Sequence, residues 1–318
     1  MFRSAWIFML GSALIAAILV SQGPRSGEPI AKAQAAELPM LTTVEPQPPL
    51  ARPAPSMPKA ESHPTLAAAR RIDRWRHVLL IPPDCGTRGG FDLILHFHGV
   101  PGTLEPIFRA SALDAVVVIT NLGLASGPYE KMFADRASFP QYLDTITREL
   151  RTYCHETQPR RVALSSWSAG YGATLRILGH DRNRERIDAV LLADGLHGGL
   201  EHRHPRTVRA EALEPVNRFA EQAALGQRLL AITHSSIVTS DYASTTETAS
   251  FLLNSQGIER ELVDVSGPRR TMRQSSTAHR AGFWVAGYAG NDANAHCDHL
   301  YAFGKTLLPM LEAHWNRN

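Results

Sequence analysis

Residues 161–178, RVALSSWSAGYGATLRIL, have the pattern in this sequence that is most informative about the fold. Arg161–Ser165 has the short apolar pattern of a buried strand, and Ala169–Leu178 has the spacing of a helix. A small-x-Ser-x-small pattern, with Ser166 and Gly170 as its small residues, stands between them around Ser168. A serine on so sharp a turn adopts strained backbone, and its neighbours two before and two after must be small because they crowd each other. The helix N-terminus below it favours developing negative charge.

The alternation of strand and helix continues on both sides of this stretch. Short apolar runs end in Gly, Asp, Ser or His, as parallel strands buried on both faces do. Besides Arg161–Ser165, the predicted strands are His77–Pro82, Asp92–His98, Ala115–Thr120, Ala189–Ala193, Leu229–Thr233, Glu261–Val265 and Trp284–Tyr288. Besides Ala169–Leu178, the predicted helices are Val216–Leu225, Thr245–Asn254, Leu300–Trp315 and one with Leu143, Ile146, Leu150 and Tyr153 on one face. This alternation predicts an α/β fold, a doubly wound, mostly parallel sheet of about eight strands flanked by helices.

The N-terminal part of the chain has a different composition. Arg3 precedes an apolar run, Ala5–Val20, which is typical of a secretory signal and short for a bilayer span. We assign residues 1–22 to a signal peptide or N-terminal anchor. Residues 23–66, rich in Pro and Ala, are predicted to be a disordered linker, and residues 67–318 the folded domain. The chain is therefore expected to be exported, as a periplasmic, secreted or membrane-anchored protein with its domain outside the cytoplasm.

Composition narrows the classes of partner and leaves the cysteines open. The 318 residues are 44% hydrophobic and 20% charged, an ordinary globular balance that supports one large core. The net charge is only +3 and the basic residues are scattered, so no nucleic-acid partner is expected. Export permits disulfides, and Cys85 could pair with Cys154 and leave Cys297 free, or all three could be small buried residues. The oligomeric state stays open.

A second motif, HGVPG at residues 98–102, ends the predicted strand Asp92–His98. Together with the turn at Ser168 it resembles the α/β-hydrolase family, whose usual motif is Gly-x-Ser-x-Gly; this chain has Ser166 at the first small position. The family also carries a His-Gly-x-x-Gly loop after an early strand. The resemblance covers about residues 75–318, and the α/β-hydrolase fold is what it implies.

The resemblance also implies which groups bind the oxyanion of an acyl-transfer intermediate. The backbone N–H groups of Val100 and Ala169 are the expected donors. Gly99 lets the loop pass close to the substrate. Removing one such donor typically lowers turnover by about 10²–10³-fold.

In this family the acid and then the histidine follow the serine along the chain. Asp194, at the carboxyl end of a buried strand, is the preferred acid; the alternative is Asp241, the nearest carboxylate after the following strand, where the family more often has its acid. The loop after the last strand holds two histidines, His296 and His299. We favour His296, which lies nearer the strand, over His299, at the start of the last predicted helix. The histidine takes the proton from Ser168 and returns it to the leaving group.

A metal site is the rival interpretation of the histidines. His96 and His98 have a ligand-like spacing, and the stretch HCDH at residues 296–299 offers further ligands. That interpretation leaves the turn at Ser168 and the glycines of the loop unexplained, so neither a metal nor a cofactor is expected. In a third interpretation His96 packs in the core and His98 orients the loop.

These patterns predict a serine hydrolase that cleaves a carboxylic ester of a small-molecule or cell-envelope acyl substrate through a Ser-His-Asp triad and an acyl-enzyme. An acyltransferase or amidase with the same triad, and a non-catalytic binding protein on this scaffold, are the alternatives. Trp167 either lines the acyl pocket or packs under the loop. Gly198–Glu214, charged and too short for a large cap domain, forms part of a lid or a solvated excursion. We expect an open site and a modest-sized acyl group.

Overall fold

A computed structural model of the chain describes residues 65–87, 89–155 and 158–317. The predicted signal segment and nearly all of the predicted linker lie outside these ranges. Leu66, at the end of the predicted linker, lies in a short 3-10 turn, Thr65–Ala68, and is fully buried in the core. Within the described part of the chain, no helix is long and apolar enough to cross a membrane.

Twelve strands form among the described residues. They are β1 Arg70–Asp73, β2 His77–Ile81, β3 Phe91–Phe97, β4 Ala115–Thr120, β5 Pro159–Trp167, β6 Ala189–Ala193, β7 Leu200–Arg203, β8 Arg206–Val208, β9 Leu229–His234, β10 Glu261–Ser266, β11 Arg273–Arg280 and β12 Phe283–Ala289. Ten of them form one sheet in the order β1-β2-β4-β3-β5-β6-β9-β12-β11-β10, and β7 pairs only with β8.

Among the described residues, ten helices connect and cover these strands. They are α1 Pro101–Arg109, α2 Ser126–Met132, α3 Ser138–Leu150, α4 Tyr171–Leu178, α5 Asp181–Arg184, α6 Ala210–Ala224, α7 Thr245–Ser255, α8 Ala293–Tyr301, α9 Phe303–Thr306 and α10 Leu308–Trp315. A 3-10 turn, Ser168–Gly170, joins β5 to α4.

The centre of the sheet is parallel and its flanks are antiparallel. The six strands β4, β3, β5, β6, β9 and β12 run in one direction, whereas β1–β2 and β10–β11 add antiparallel ribbons at the two sides. The predicted doubly wound, mostly parallel α/β fold is confirmed. The chain reverses its direction of winding between β3 and β5, where α/β proteins keep their sites.

Alternating side chains of the central strands feed two separate hydrophobic layers. In β3, Leu93, Leu95 and Phe97 face the layer covered by α3, α4, α6 and α7, while Ile94 faces the layer covered by α1 and α8–α10. Because successive side chains of a strand point to opposite faces, the nearly continuous apolar runs of these strands follow from helices on both sides.

The sequence-based strands differ from the observed ones at the edges. The predicted strand Glu261–Val265 forms as β10, but as a mostly exposed antiparallel strand, because it lies at the edge of the sheet and pairs only with β11. Two sheet strands, β1 and β11, were not predicted because their sequences, RRID and RQSSTAHR, contain no apolar run. Pairing with a neighbouring strand, rather than burial of both faces, holds them in the sheet.

The predicted last helix, Leu300–Trp315, is wrong in its start and its continuity. The helical segment begins at Ala293 and is divided into α8, α9 and α10. It begins early because the Asp292 side chain accepts a hydrogen bond from the Ala295 N–H, which is the N-cap interaction that starts helices. His296 therefore lies within a helix rather than in the preceding loop.

One disulfide joins Cys85, in the connection from β2 to β3, to Cys154, just after α3. Cys297 is a free thiol in the described structure. Of the two arrangements open from the sequence, the structure has the paired one.

Candidate active site

Ser168 lies on a strained turn between β5 and α4. Its φ is 48°, in the left-handed region that a residue other than glycine seldom adopts. A Cβ on Gly170 would come within 2.1 Å of the Phe97 carbonyl oxygen, so that the turn packs against the end of β3. A Cβ on Gly195 would come within 2.4 Å of the Ser168 carbonyl oxygen. The turn after β6 thus packs closely against the Ser168 backbone. The motif around Ser168 predicted small residues only at 166 and 170 and gave no indication of Gly195.

A continuous hydrogen-bonded chain joins three side chains at the carboxyl end of the sheet. The Ser168 hydroxyl lies 2.8 Å from His296 Nε2, and His296 Nδ1 lies 2.7 Å from Asp194 Oδ2. A carboxylate only accepts, so His296 Nδ1 carries the proton and Nε2 offers a lone pair to the serine hydroxyl. These residues come from the ends of β5 and β6 and from α8, which follows β12.

The Asp194 carboxylate is almost fully surrounded by donors. Besides His296, which bonds Oδ2, its Oδ1 accepts from the Ser235 N–H at 2.8 Å, the Ser235 hydroxyl at 3.0 Å and the Thr245 hydroxyl at 2.8 Å. Burial alone raises the pKa of this carboxyl. The hydrogen bond from His296, the electrostatic effect of the nearby His299 and His296 rings and the N–H of Ser235 outweigh burial and hold the pKa below its usual range. Asp194 is therefore a fixed negative charge behind His296.

The alternative acid and the alternative histidine have other partners. Asp241 is a surface residue, with a side chain 70% exposed, and it forms an ion pair with Arg203 at 2.9 Å. His299 is buried, and its Nδ1 lies 2.9 Å from the Thr233 hydroxyl. The structure thus brings Asp194 and His296, but neither Asp241 nor His299, into hydrogen-bonding contact with the chain that ends at Ser168.

The loop after β3 has left-handed backbone at two successive residues. His98 has a φ of 74° and Gly99 a φ of 113°, and a Cβ on Gly99 would come within 2.8 Å of the Leu104 side chain. Val100 is the N-cap residue of α1. Ala169 is the second residue of the turn Ser168–Gly170, and helix N-termini present N–H groups without intrahelical partners. Both residues therefore lie at the start of a helical segment, Ala169 directly after Ser168 and Val100 in the loop after β3, while the role of their N–H groups stays a prediction.

Trp167 lies between two histidine rings. Its ring stacks on His98 with centroids 5.1 Å apart and on His296 with centroids 4.9 Å apart. Its Nε1–H also donates to the His296 carbonyl oxygen at 3.2 Å. His98 is held in turn by its Nδ1, 3.0 Å from the Tyr129 hydroxyl. Trp167 therefore packs under the loop and positions the backbone of His296.

The two histidines of the rival metal interpretation are engaged in protein hydrogen bonds. His96 Nε2 donates to the His98 carbonyl oxygen at 3.0 Å, so its Nδ1 accepts from the Ser165 hydroxyl at 2.8 Å. Full burial lowers the pKa of His96 to about 3 and keeps it neutral. In the described ranges, no group of three or more His, Cys, Asp or Glu side chains is placed to hold a metal ion.

An open pocket of about 560 Å³ begins at Ser168. It is lined by Ser168, Ala169, Leu124, Ser126, Glu130, Tyr171, Leu175, His197, Gly198, Gly199, Ala212 and Tyr242. The predicted excursion Gly198–Glu214 forms the exposed hairpin β7–β8 and the start of α6. Arg206 of this hairpin forms an ion pair with Glu247 at 2.6 Å, so the hairpin is tied to the N-terminus of α7 beside the pocket.

Several residues that build the site carry no motif of their own. Ser235 and Thr245 hold the acid and follow or begin secondary-structure elements, where Ser and Thr are common for local reasons. Gly195 after an aspartate is an ordinary turn pattern, and His197 stands alone. Their roles depend on contacts with residues far along the chain, so the sequence offered little signal for them.

Comparisons with known proteins found structural likeness but no matching family. No protein-family model matches this sequence, and no curated protein matches it. Among solved structures the chain is similar to a glucuronoyl esterase from Solibacter usitatus, with a TM-score of 0.39 and 13% identity over 75% of this chain and 77% of that one. An identity and a TM-score this low transfer no residue role to this chain.

Proposed function

We propose that this protein is a serine hydrolase that cleaves a carboxylic ester through an acyl-enzyme on Ser168. The observation that carries the proposal is the hydrogen-bonded chain from Ser168 through His296 to Asp194, whose two distances are 2.8 and 2.7 Å. A nucleophile, a base within hydrogen-bonding reach and a third group that orients the base are the signature of nucleophilic catalysis.

The geometry supports a specific sequence of proton transfers. As Ser168 Oγ attacks the ester carbonyl, its proton passes to His296 Nε2, and Asp194 stabilises the imidazolium that forms. The same Nε2–H then protonates the departing alkoxide, which leaves an acyl group on Ser168. A water molecule next gives its proton to His296 and attacks the acyl carbon. Return of that proton to Ser168 releases the acid.

The negative oxygen of each tetrahedral intermediate needs donors, and the N–H groups of Val100 and Ala169 are our candidates. The left-handed backbone at His98 and Gly99 turns this loop sharply before α1 begins. Such backbone strain is typical of functional sites. The helix N-termini at both residues add favourable partial positive charge.

We further propose that the enzyme acts outside the cytoplasm. The apolar run after Arg3 has the pattern of a secretory signal. The disulfide between Cys85 and Cys154 also favours an oxidising compartment, since such bonds are rare in the cytosol.

A fluorophosphonate probe tests the mechanism directly, because it labels only an activated serine. The full chain should be labelled, Ser168→Ala should not, and Ser255→Ala, an exposed serine of α7, serves as the matched control. The wild type should also release free acid from a simple acetate ester in water, without any added acceptor. A folded wild type that neither takes up the probe nor releases acid would refute the proposal.

A further inference from the structure

The pocket beside Ser168 has a wall chemistry of its own. Its volume, about 560 Å³, lies in the usual range for small-molecule sites. Leu124, Leu175 and Ala212 supply apolar surface, whereas Glu130, His197 and two tyrosines supply polar atoms. A group that fits this pocket must therefore have both apolar and hydrogen-bonding surface.

His197 lines this pocket and has one ring nitrogen without a partner in the described structure. Its Nδ1 donates to the Ala243 carbonyl oxygen at 3.2 Å, which leaves Nε2 with a lone pair when the ring is neutral. Burial lowers the pKa of His197, so the ring is neutral at pH 7. Within the described ranges, no hydrogen-bond partner occupies Nε2. The free lone pair of His197 Nε2 can therefore accept a hydrogen bond from a substrate hydroxyl or N–H group.

Two tyrosines flank His197 and shape the same wall. The His197 ring meets Tyr171 edge to face at 5.4 Å and Tyr242 at 5.0 Å. These contacts hold the His197 ring in place between the two tyrosines. Tyrosines combine an apolar ring with a hydroxyl that both donates and accepts, which suits a ligand with apolar C–H faces and hydroxyl edges.

The charges around the pocket favour a neutral occupant. Glu130 is the one acidic side chain among the lining residues, and no lysine or arginine lines the pocket. Its carboxylate is paired with Arg176 at 3.0 Å and accepts from the Ser126 hydroxyl at 2.9 Å. The guanidinium groups nearest this wall, those of Arg176 and Arg209, are already paired with Glu130 and Glu201. An anionic substrate group would have to compete for them, and a cationic group would meet a carboxylate already neutralised by its partner. Neutral hydroxyl groups can form hydrogen bonds with the free acceptors of the wall, such as His197 Nε2, without bringing an unpaired charge into the pocket.

We propose, on the basis of the serine hydrolase function above, that this pocket binds the polyhydroxylated half of an ester, such as the ring of an acylated sugar. His197 is the residue that determines this specificity, because its Nε2 accepts a hydrogen bond from a substrate hydroxyl. An ester of the same size without that hydroxyl leaves the acceptor unpaired, and it is therefore the poorer substrate.

A pair of matched acetate esters tests this specificity in the full chain. Methyl mono-O-acetyl-glucopyranoside and cyclohexyl acetate share the acyl group and the six-membered ring but differ in hydroxyls. The wild type should hydrolyse the sugar acetate with a kcat/KM about 10-fold or more above that of cyclohexyl acetate. In His197→Phe this ratio should fall about 3- to 10-fold, mainly through KM, as expected for one lost hydrogen bond.

Two further variants separate recognition from folding. His197→Gln retains a side-chain acceptor and should recover most of the ratio. His279→Phe is the matched control, because His279 is an exposed residue of β11 that stacks on Trp284 outside the pocket. An unchanged ratio in a folded His197→Phe, or a wild type without preference for the sugar ester, would overturn the inference.

Binding without turnover keeps this inference apart from the proposed mechanism. Ser168→Ala, titrated calorimetrically with the sugar acetate, should bind it saturably, and adding His197→Phe should weaken that binding about 3- to 10-fold. Absence of saturable binding overturns the pocket proposal even where fluorophosphonate labels the wild type. Conversely, saturable binding that depends on His197 supports the pocket even where the probe labels nothing and the hydrolase proposal fails.

Discussion

The two sides of Ser168 are built in opposite ways. On the acid side, Asp194 is buried and every hydrogen bond of its carboxylate is made within the protein. On the pocket side, His197 is only partly buried, and one of its ring nitrogens has no partner in the described structure. The hydrogen bonds of Asp194 are therefore complete in the free protein, whereas His197 keeps an acceptor that a ligand can use.

The acid side has strained backbone, whereas the pocket side is open. Three of the four residues other than glycine with positive φ in the described ranges are Ser168, Asp194 and His98, which lie at the turn after β5, at the end of β6 and in the loop after β3. Each such residue costs on the order of 1–3 kcal/mol, which the surrounding packing must offset. The pocket side carries no comparable strain and has room for substrate, so changes there should alter selectivity more than turnover.

A large effect is expected at the acid. Asp194→Asn should lower kcat by about 10³–10⁴-fold, because the amide cannot stabilise the imidazolium and can reverse the ring's tautomer. Asp241→Asn is the matched control and should leave kcat unchanged, since Asp241 is exposed and paired only at the surface. Steady-state hydrolysis of a simple acetate ester measures both. Equal losses in the two variants would mean that Asp194 is not the catalytic acid.

Mild acid should destabilise the fold through buried histidines. Burial lowers the pKa of His234 and of His299 to about 4, against 6.5 in the unfolded chain. Their contribution to stability is therefore complete above pH 6.5 and is lost as pH falls from 6.5 toward 4. At pH 5 each should cost about 2 kcal/mol of unfolding free energy. Carboxyls with lowered pKa, such as Asp194, lose their contribution only below about pH 4.

Urea unfolding at pH 7.5, 6.5, 5.5 and 5.0 measures this dependence. The unfolding free energy should be nearly constant between the two higher values and then fall. A free energy that rises between pH 6.5 and 5 would mean that these histidines are charged in the folded protein.

Two histidines three residues apart on α8, His296 and His299, should differ in role, the first affecting reactivity and the second mainly stability. His296→Ala should abolish fluorophosphonate labelling. His299→Phe should keep labelling within about 10-fold and lower stability by about 1–3 kcal/mol, because the Thr233 hydroxyl loses its partner. Labelling rate and thermal unfolding are measured on the same samples. Loss of labelling in a folded His299→Phe would contradict the assignment of His296 as the base.

The smallest effect is expected at one of the donors to the acid. Thr245→Val removes one hydrogen bond to Asp194 Oδ1 and should reduce kcat about 3- to 10-fold. Thr246→Val is the matched control on the same helix turn, since Thr246 bonds the Ser235 carbonyl oxygen rather than the acid. Similar stability losses in both variants, with a kcat change only in Thr245→Val, would show that the hydrogen bond to Asp194 affects turnover. A kcat change of the same size in both would assign the effect to α7 as a whole.

The central part of the fold was predictable because it depends on local pattern. Strands β3, β4, β5, β6, β9 and β12 are buried on both faces, and their apolar runs identify them in the sequence. Strand β11, between β12 and the edge strand β10, and the helix start at Ala293 were missed, because pairing with neighbouring strands and capping by Asp292 determine them. The turn at Ser168 was also predictable, since its steric demands restrict the residues on either side.

The sequence by itself determined the α/β class, the position of the serine turn between a strand and a helix, and a short set of candidate acids and histidines. Only the tertiary structure decided among those candidates. Asp194 and His296 are 102 residues apart in the chain, and Ser168 and His296 are 128 apart, so their contacts have no local signal. They meet because β5, β6, β9 and β12 are neighbours in one parallel sheet, whose carboxyl ends open at a single edge.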